Sequence, residues 1–222
     1  MLISADIYSV MGPGVPHAVA SLQRPGCRPV STVMLGSHFY NRFSMWRTLV
    51  AAIRHALWHD VWTNALHDDR DYSTARMLVW QALRMKADAD AGSPSPEWPF
   101  RGRELYALLV MGMLPFILQS IPFQNIIADD ASGVEMEVDG TTLEAAGKRW
   151  LETYNPLQPP PYNSTPSDTF LDAVRHEMLA IARSILGQLS SLQSQEFLQV
   201  WADARSIFIE EYERRCQYNR SS

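Results

Sequence analysis

The clearest hydrophobic pattern in the chain begins at Trp46. Apolar side chains follow there at intervals of three and four positions, the spacing of one helix face: Trp46, Leu49, Val50, Ile53, Leu57, Val61 and Ala65. Residues 67–71 read as a polar turn, and the helical spacing returns over 72–86 at Ala75, Val79 and Leu83. We therefore predict two successive helices that each turn an apolar face toward a core.

The second half of the chain predicts three longer helices and a short one. Residues 103–121 are almost wholly apolar, which indicates a helix buried on all sides, and 141–153 read as a short helix. Thr165 and Pro166 suit a helix start, because threonine caps and proline fits the first turn. The helix that follows has the apolar face Phe170, Val174, Met178, Ile181, Ile185 and Leu189. A last helix over 192–215 has the face Phe197, Val200, Ala204, Ile207 and Glu211.

Four segments lack the helical spacing. Residues 1–40 are rich in Pro, Gly, Ser and Val and predict an extended arm, and 87–102 form a loop with three prolines. Residues 128–140 are an acidic loop, and 155–166 are a Pro-rich linker that is predicted to be rigid and extended. The chain is thus predicted to be all-α, with extended segments before and between its helices.

Composition narrows the class of protein. The 222 residues are 46% hydrophobic and 19% charged, enough apolar material for one sizeable core. The formal net charge is −5, so that any nucleic acid must bind a local basic face. Cys27 and Cys216 are the two cysteines, which indicates neither a disulfide framework nor a metal knuckle and favours a reducing compartment. Asp6 and Pro13 interrupt the first apolar run, which is unlike a signal peptide.

Catalytic motifs are absent from the sequence. It contains no GxSxG, no P-loop and no CxxC, and we predict neither enzyme activity nor a cofactor. His55 and His59 stand four positions apart on a predicted helix and could share a metal ion, but no third ligand is evident. We interpret them as helix-surface imidazoles.

Two other segments suggest alternatives. Leu105 to Phe123 is long enough to span a membrane, but Pro115 and Pro122 favour a buried helix, and no membrane partner is predicted. Pro159–Tyr162 reads PPPY, the PPxY ligand of WW domains. An alternative function is therefore that of a Gag- or matrix-like budding protein that recruits a WW-domain partner through this motif. The other interpretation of the motif is a plain rigid linker.

Several short segments, taken in order, resemble the coat proteins of rod-shaped plant viruses, the tobacco mosaic virus type. The matching segments are Thr63-Asn64-Ala65-Leu66, Ala75-Arg76, Leu78-Val79, Ser93-Pro94-Ser95-Pro96, Pro99-Phe100-Arg101, Leu105-Tyr106, Leu114-Pro115, Ile126-Ile127 and the stretch STPSDTFLDAVRHEMLAIARSI at 164–185. Their order and spacing cover about residues 45–189. The arm, the Pro-rich segment and the last helix fall outside, as in a divergent member.

The resemblance implies a structural protein of the virion, present also in the host cytoplasm. Copies of its slewed four-helix bundle would assemble as a helical homo-oligomer around single-stranded RNA. In that reading residues 1–40 are an extended N-terminal arm, and 41–190 are the four-helix-bundle coat domain. Residues 191–222 are then an extra C-terminal helix and tail.

The resemblance also implies RNA contacts. Arg76 falls on an arginine that contacts RNA phosphate in the family, and Arg175 and Asp172 fall where the fourth helix meets RNA. The family's arginines after the third helix are missing, since this chain reads Phe123-Gln124-Asn125 there, and His176-Glu177-Met178 replaces an expected Asp pair. Lys148, Arg149 and Arg183 would compensate for the missing charges. Our candidate RNA-binding residues are Arg76, Asn125, Lys148, Arg149, Asp172, Arg175 and Arg183.

The acidic loop is a candidate assembly switch. Its carboxylates are Asp129, Asp130, Glu135, Glu137 and Asp139. In the resembled family this connection lies close to RNA and to the next subunit, where like charges repel. Stacking would then take up protons, so we expect the rod to be most stable at low pH and to come apart as pH rises. The alternative is a solvated loop that only aids solubility.

Overall fold

The computed structural model describes the backbone of residues 43–62, 69–93, 100–120, 137–138, 141–157 and 170–221, and the side chains of 43–58, 71–93, 100–118, 145–157 and 173–218. This part of the chain contains α1 (Met45–Trp62), α2 (Asp69–Ala91), α3 (Gly102–Ser120), β1 (Glu137–Val138), β2 (Thr141–Thr142), α4 (Leu143–Thr153), α5 (Phe170–Leu186) and α6 (Ser191–Ser221). The two strands form only a two-residue antiparallel ribbon before α4. The prediction of an all-α chain is confirmed.

Helix α3 lies at the centre of the fold. Every residue from 105 to 117 is buried, and the helix contacts α1, α2, α5 and α6. Its apolar residues surround the whole helix axis, which requires neighbours on all sides. Within the described ranges, no helix is both long and apolar enough to cross a membrane. The interpretation of this segment as a buried helix agrees with that burial.

The last helix shares the core with α3. Helix α6 contacts α1, α3 and α4, and its buried side chains belong to the same apolar cluster: Phe197, Val200, Trp201, Ala204, Phe208 and Tyr212. Tyr106 of α3 donates a hydrogen bond to Glu196 at 2.8 Å and packs edge-on against Phe197. The extra C-terminal helix therefore shares the apolar core with α3.

A buried carboxylate joins α6 to α1. Glu211 is almost fully buried and accepts hydrogen bonds from Arg54 Nε at 2.9 Å and from the indole of Trp58 at 3.2 Å. At the other end of α1, Glu104 of α3 accepts the backbone N–H of Trp46 at 2.9 Å. The first N–H groups of a helix have no partner within it, so this carboxylate acts as a cap supplied by another helix.

Helix α2 buries a different face from the predicted one. Leu83 is 63% exposed, so the expectation that it faces the core is wrong, and Val79 is only half buried. Ala75 is half buried and packs against the core, as expected. The buried positions are instead Asp71, Thr74, Leu78, Gln81 and Asp88. Apolar periodicity misled here because four of these five buried side chains are polar. The helix ends before Gly92, whose φ of 67° is the left-handed conformation that suits a helix C-terminus.

Helices α2, α3 and α5 meet at Gly112. A Cβ placed on this residue would lie 2.7 Å from Leu78 of α2 and 3.4 Å from Ala182 of α5. Asp71 and Arg175 form a second contact between α2 and α5. Asp71 meets Arg175, and seven positions further along each helix Leu78 and Ala182 both lie against Gly112. Residue numbers therefore rise together along α2 and α5, and the two helices run in the same direction.

Candidate nucleic-acid interface

One of the predicted RNA-binding positions, Arg175, pairs with a carboxylate near the start of α2. Arg175 donates from Nε to Asp71 at 2.8 Å, and the side chain of Asp71 is buried while that of Arg175 is 27% exposed. The pair is 104 positions apart in sequence. Because a charge-assisted hydrogen bond holds a guanidinium in one orientation, Asp71 positions Arg175 at the edge of the fold.

Arg76 lies on the outer surface of α2. Its side chain is exposed, whereas Asp71, five positions earlier, is buried. Five positions correspond to about 140° around a helix, which turns Arg76 away from the ion pair. The structure therefore places Arg76 and Arg175 near the same end of two adjacent helices but on different sides of α2. Asp172 is in the first turn of α5, and its side chain lies outside the described residues.

One of the two predicted cations of α4, Lys148, faces α6. Lys148 forms an ion pair with Glu213 of α6, and Arg205 of α6 donates to the backbone carbonyl of Glu152 at 2.9 Å. Arg149 is exposed. The two cross-helix bonds hold α4 against α6, so Lys148 has a structural contact that the sequence did not indicate.

Three aromatic rings meet where the end of α4 packs on α6. Tyr154, just after α4, stacks on Trp150 at 4.7 Å between ring centroids and packs edge-on against Trp201 of α6 at 5.4 Å. Burial raises the pKa of Tyr154, and the charge of the Arg183 guanidinium partly opposes that effect. Sequence reasoning named Arg183 but missed the three rings. Trp150 and Tyr154, four apart on one helix face, were the available signal.

The remaining predicted positions have no described side chain. Glu137 lies in β1, without a described side chain, and the arm 1–40, the PPPY motif and the Thr165-Pro166 start lie outside the described residues, as do Asn125, Asp129, Asp130, Glu135 and Asp139. Among the described side chains, no three His, Cys, Asp or Glu residues are grouped closely enough to hold a metal ion. His55 is described, and the side chain of His59 is not.

Among the predicted RNA-binding residues, Arg175 is held by Asp71 near the start of α2 and α5, and Arg76 and Arg149 are exposed. Arg183 is half buried and affects the pKa of Tyr154. No family model, no curated protein and no solved structure matches this chain, and its function must be inferred from its own residues.

Proposed function

We propose that this chain is the coat protein of a rod-shaped virus particle, in which copies of it assemble helically around single-stranded RNA. The observation that carries the proposal is the order and spacing of the segments that resemble tobacco mosaic virus-like coat proteins over residues 45–189. A coat protein of this kind needs a rigid helical body, lateral contact surfaces and a few placed cations. Its locations would be the virion and the host cytoplasm.

The contacts between helices support a four-helix bundle as the core of the proposed coat protein. In it, α1, α2, α3 and α5 are the four bundle helices, and α1–α3, α2–α3, α3–α5 and α2–α5 are all in contact. The parallel course of α2 and α5 agrees with a bundle whose successive helices alternate in direction. Helix α6 would then be a fifth helix packed on α1 and α3, and residues 1–40 an extended arm.

The positions of Arg76 and Arg175 support RNA contacts at one end of the bundle. Both lie in the first half of their helices. Arg76 is exposed, and Asp71 orients Arg175 while leaving it partly exposed. Phosphate contacts of this kind supply most of the non-specific affinity for RNA, so a subunit with a net charge of −5 can still bind through one surface.

Exposed apolar side chains support contacts between copies. Trp80 is 56% exposed on the outer face of α2, next to Leu83, and Leu192 is exposed at the start of α6. Large apolar groups on the surface are typical of interfaces. A helical rod requires two different complementary surfaces on each subunit, since head-to-tail contacts that do not close produce a filament.

Electron microscopy of the full chain expressed together with RNA tests the proposal. We expect rods or stacked discs that contain nuclease-protected RNA. Arg76→Gln should reduce the RNA content of the particles, whereas Arg47→Gln, which removes an exposed arginine of α1, should leave it unchanged. Monodisperse protein that neither assembles nor protects RNA over a range of pH and salt would refute the proposal.

The acidic loop provides a second test of assembly. If stacking brings its carboxylates together, light scattering of RNA-free protein should show disassembly as pH rises, because assembly takes up protons. The double variant Glu135→Gln and Glu137→Gln should move that disassembly to higher pH. Glu152→Gln, which neutralises an exposed carboxylate of α4, is the matched control. An unchanged profile in the double variant would show that the loop is only a solvated connection.

A further inference from the structure

The exposed face of α2 carries a tryptophan beside an arginine. Trp80 is 56% exposed, Arg76 four positions before it is exposed, and Leu83 three positions after it is 63% exposed. Residues four positions apart lie on the same side of a helix, about 6 Å apart along its axis. Because tryptophan is highly buried on average, an indole that solvent reaches next to a guanidinium is an uncommon surface.

Arg76 differs from the described cations in the second half of its helix. Arg84 and Lys86 are each paired with the aspartate four positions later, at 3.6 and 2.9 Å. Arg76 has Trp80 in that place, and no carboxylate lies three or four positions from it on α2. Among the described residues Arg76 forms no ion pair. Its positive charge is therefore available to an anion from outside the fold.

The apolar area that Trp80 presents is small. Aromatic side chains bury about 150–250 Å² each, so the exposed half of this one is on the order of 100 Å². One side of a stable protein interface buries about 800 Å². Trp80 alone therefore supplies only a small part of a contact between copies, and its area suits a single planar group that stacks on the indole. The unpaired cation of Arg76 favours a group that also carries a negative charge.

We propose that Trp80 is a stacking platform for a base of single-stranded RNA, next to the phosphate that Arg76 binds. A nucleotide combines a planar base with an anionic phosphate, the two groups that this surface fits. Stacking on an exposed ring tolerates any sequence, because every base has a stacking face, while cations follow the backbone. This inference rests on the proposed RNA-coating function and adds a residue that the predicted RNA contacts do not include.

Binding of a short fluorescently labelled single-stranded RNA to the full chain, measured by anisotropy at several salt concentrations, tests the platform. Trp80→Leu should weaken binding about five- to a hundredfold without changing the slope of log affinity against log salt, because it removes a stacking ring and no charge. Trp80→Phe, which keeps a ring, should bind more tightly than Trp80→Leu. Arg76→Gln should lower the slope by about 0.7, the value for one phosphate of a single strand.

Leu83→Ala is the matched control, since it removes an exposed apolar side chain from the same face but no stacking ring. Its affinity, like that of Arg47→Gln on α1, should stay within about twofold of the wild type. Circular dichroism establishes that each variant is folded. Tryptophan fluorescence adds a direct readout, because stacking on a base quenches an indole. RNA should lower the emission of the wild type and change that of Trp80→Phe much less.

The outcomes separate this inference from the proposed function. If the wild-type chain binds RNA, but Trp80→Leu binds as tightly and RNA quenches Trp80→Phe as much as the wild type, the platform is refuted and the coat function stands. Loss of RNA-free assembly in Trp80→Leu at unchanged RNA affinity would assign Trp80 to a contact between copies, which also refutes the platform. If the wild-type chain neither binds the labelled RNA nor packages RNA in particles, the proposed function fails and the platform fails with it.

Discussion

Replacing Gly112 by alanine should reveal how closely α2, α3 and α5 are packed. The added methyl carbon would lie 2.7 Å from Cδ1 of Leu78, well inside the roughly 3.5–4.0 Å at which carbon atoms attract. Leu78 is fully buried, so its side chain has little room to move away. The other neighbours, Ala182 and the carbonyl of Met178, lie at 3.4 and 3.7 Å and would accept the methyl with little or no movement.

Two effects of opposite sign decide how much Gly112→Ala changes the free energy of unfolding. Overpacking a buried site costs about 1–3 kcal/mol, whereas alanine favours a helix interior over glycine by about 1 kcal/mol. We therefore expect Gly112→Ala to destabilise the fold by about 0–2 kcal/mol. Leu78→Ala alone should cost about 2–5 kcal/mol because it leaves a cavity. With Leu78 shortened, the clash disappears, and Gly112→Ala should now stabilise the protein by about 1 kcal/mol.

A double-mutant cycle measures this change of sign. Urea unfolding of the wild type, both single variants and the double variant, followed by circular dichroism, should yield a coupling of about 1–3 kcal/mol between Gly112 and Leu78. Gly187→Ala is the matched control, since its added methyl would meet only backbone oxygens at 3.5 and 3.7 Å. It should be additive with Leu78→Ala. Additivity of the Gly112 pair within about 0.5 kcal/mol would refute the close contact of these helices.

Three other variants test the remaining packing. Glu211→Gln should cost about 1–3 kcal/mol in urea unfolding, because it weakens the buried contact with Trp58, while Glu210→Gln on the surface should change stability by less than about 0.5 kcal/mol. Burial raises the pKa of Tyr106 above its ordinary 10.0, so the folded chain keeps the phenol neutral while the unfolded chain ionises it. The free energy of unfolding should be unaffected by this group at pH values below 10.0, the ordinary tyrosine pKa, and should decline as pH rises above it. Tyr106→Phe should make that decline shallower, and an equal slope in the wild type and the variant would contradict the assignment. A chain ended after residue 190 should aggregate or expose apolar surface to a hydrophobic dye, since it loses the buried face of α6; a soluble, folded truncated chain would show that α6 is dispensable.

The helices themselves were predictable where the apolar pattern was strong. The spacing from Trp46 to Val61 predicted α1, and the faces over 170–189 and 192–215 predicted α5 and α6. The pattern failed for part of the face of α2, where polar side chains such as Asp71, which pairs with Arg175 of α5, are buried. Periodicity reports the average polarity of a helix face, and it cannot show that a neighbouring helix supplies the partner for a polar group.

The candidate sites were predictable only as separate residues. Arg175 was named from the sequence, but its bond to Asp71 joins positions 104 apart. The rings of Trp150, Tyr154 and Trp201 likewise come together from the end of α4 and from α6. Nothing in the local sequence of Trp201 distinguishes it from a core tryptophan. Its N–H has no hydrogen-bond partner among the described residues, which depends on side chains from other parts of the chain.

The sequence by itself determined the all-α class, the central position of the apolar segment at 103–121 and the approximate bounds of the helices, because these depend on local propensity and on the polarity of each face. Only the tertiary structure decided that α6 shares the core, that α2 turns Trp80 outward, and which cation meets which carboxylate. The physical reason is that closing a longer loop costs little more free energy than closing a short one, so separation along the chain hardly restricts which helices pair. Shape and the satisfaction of buried polar groups then select the partners.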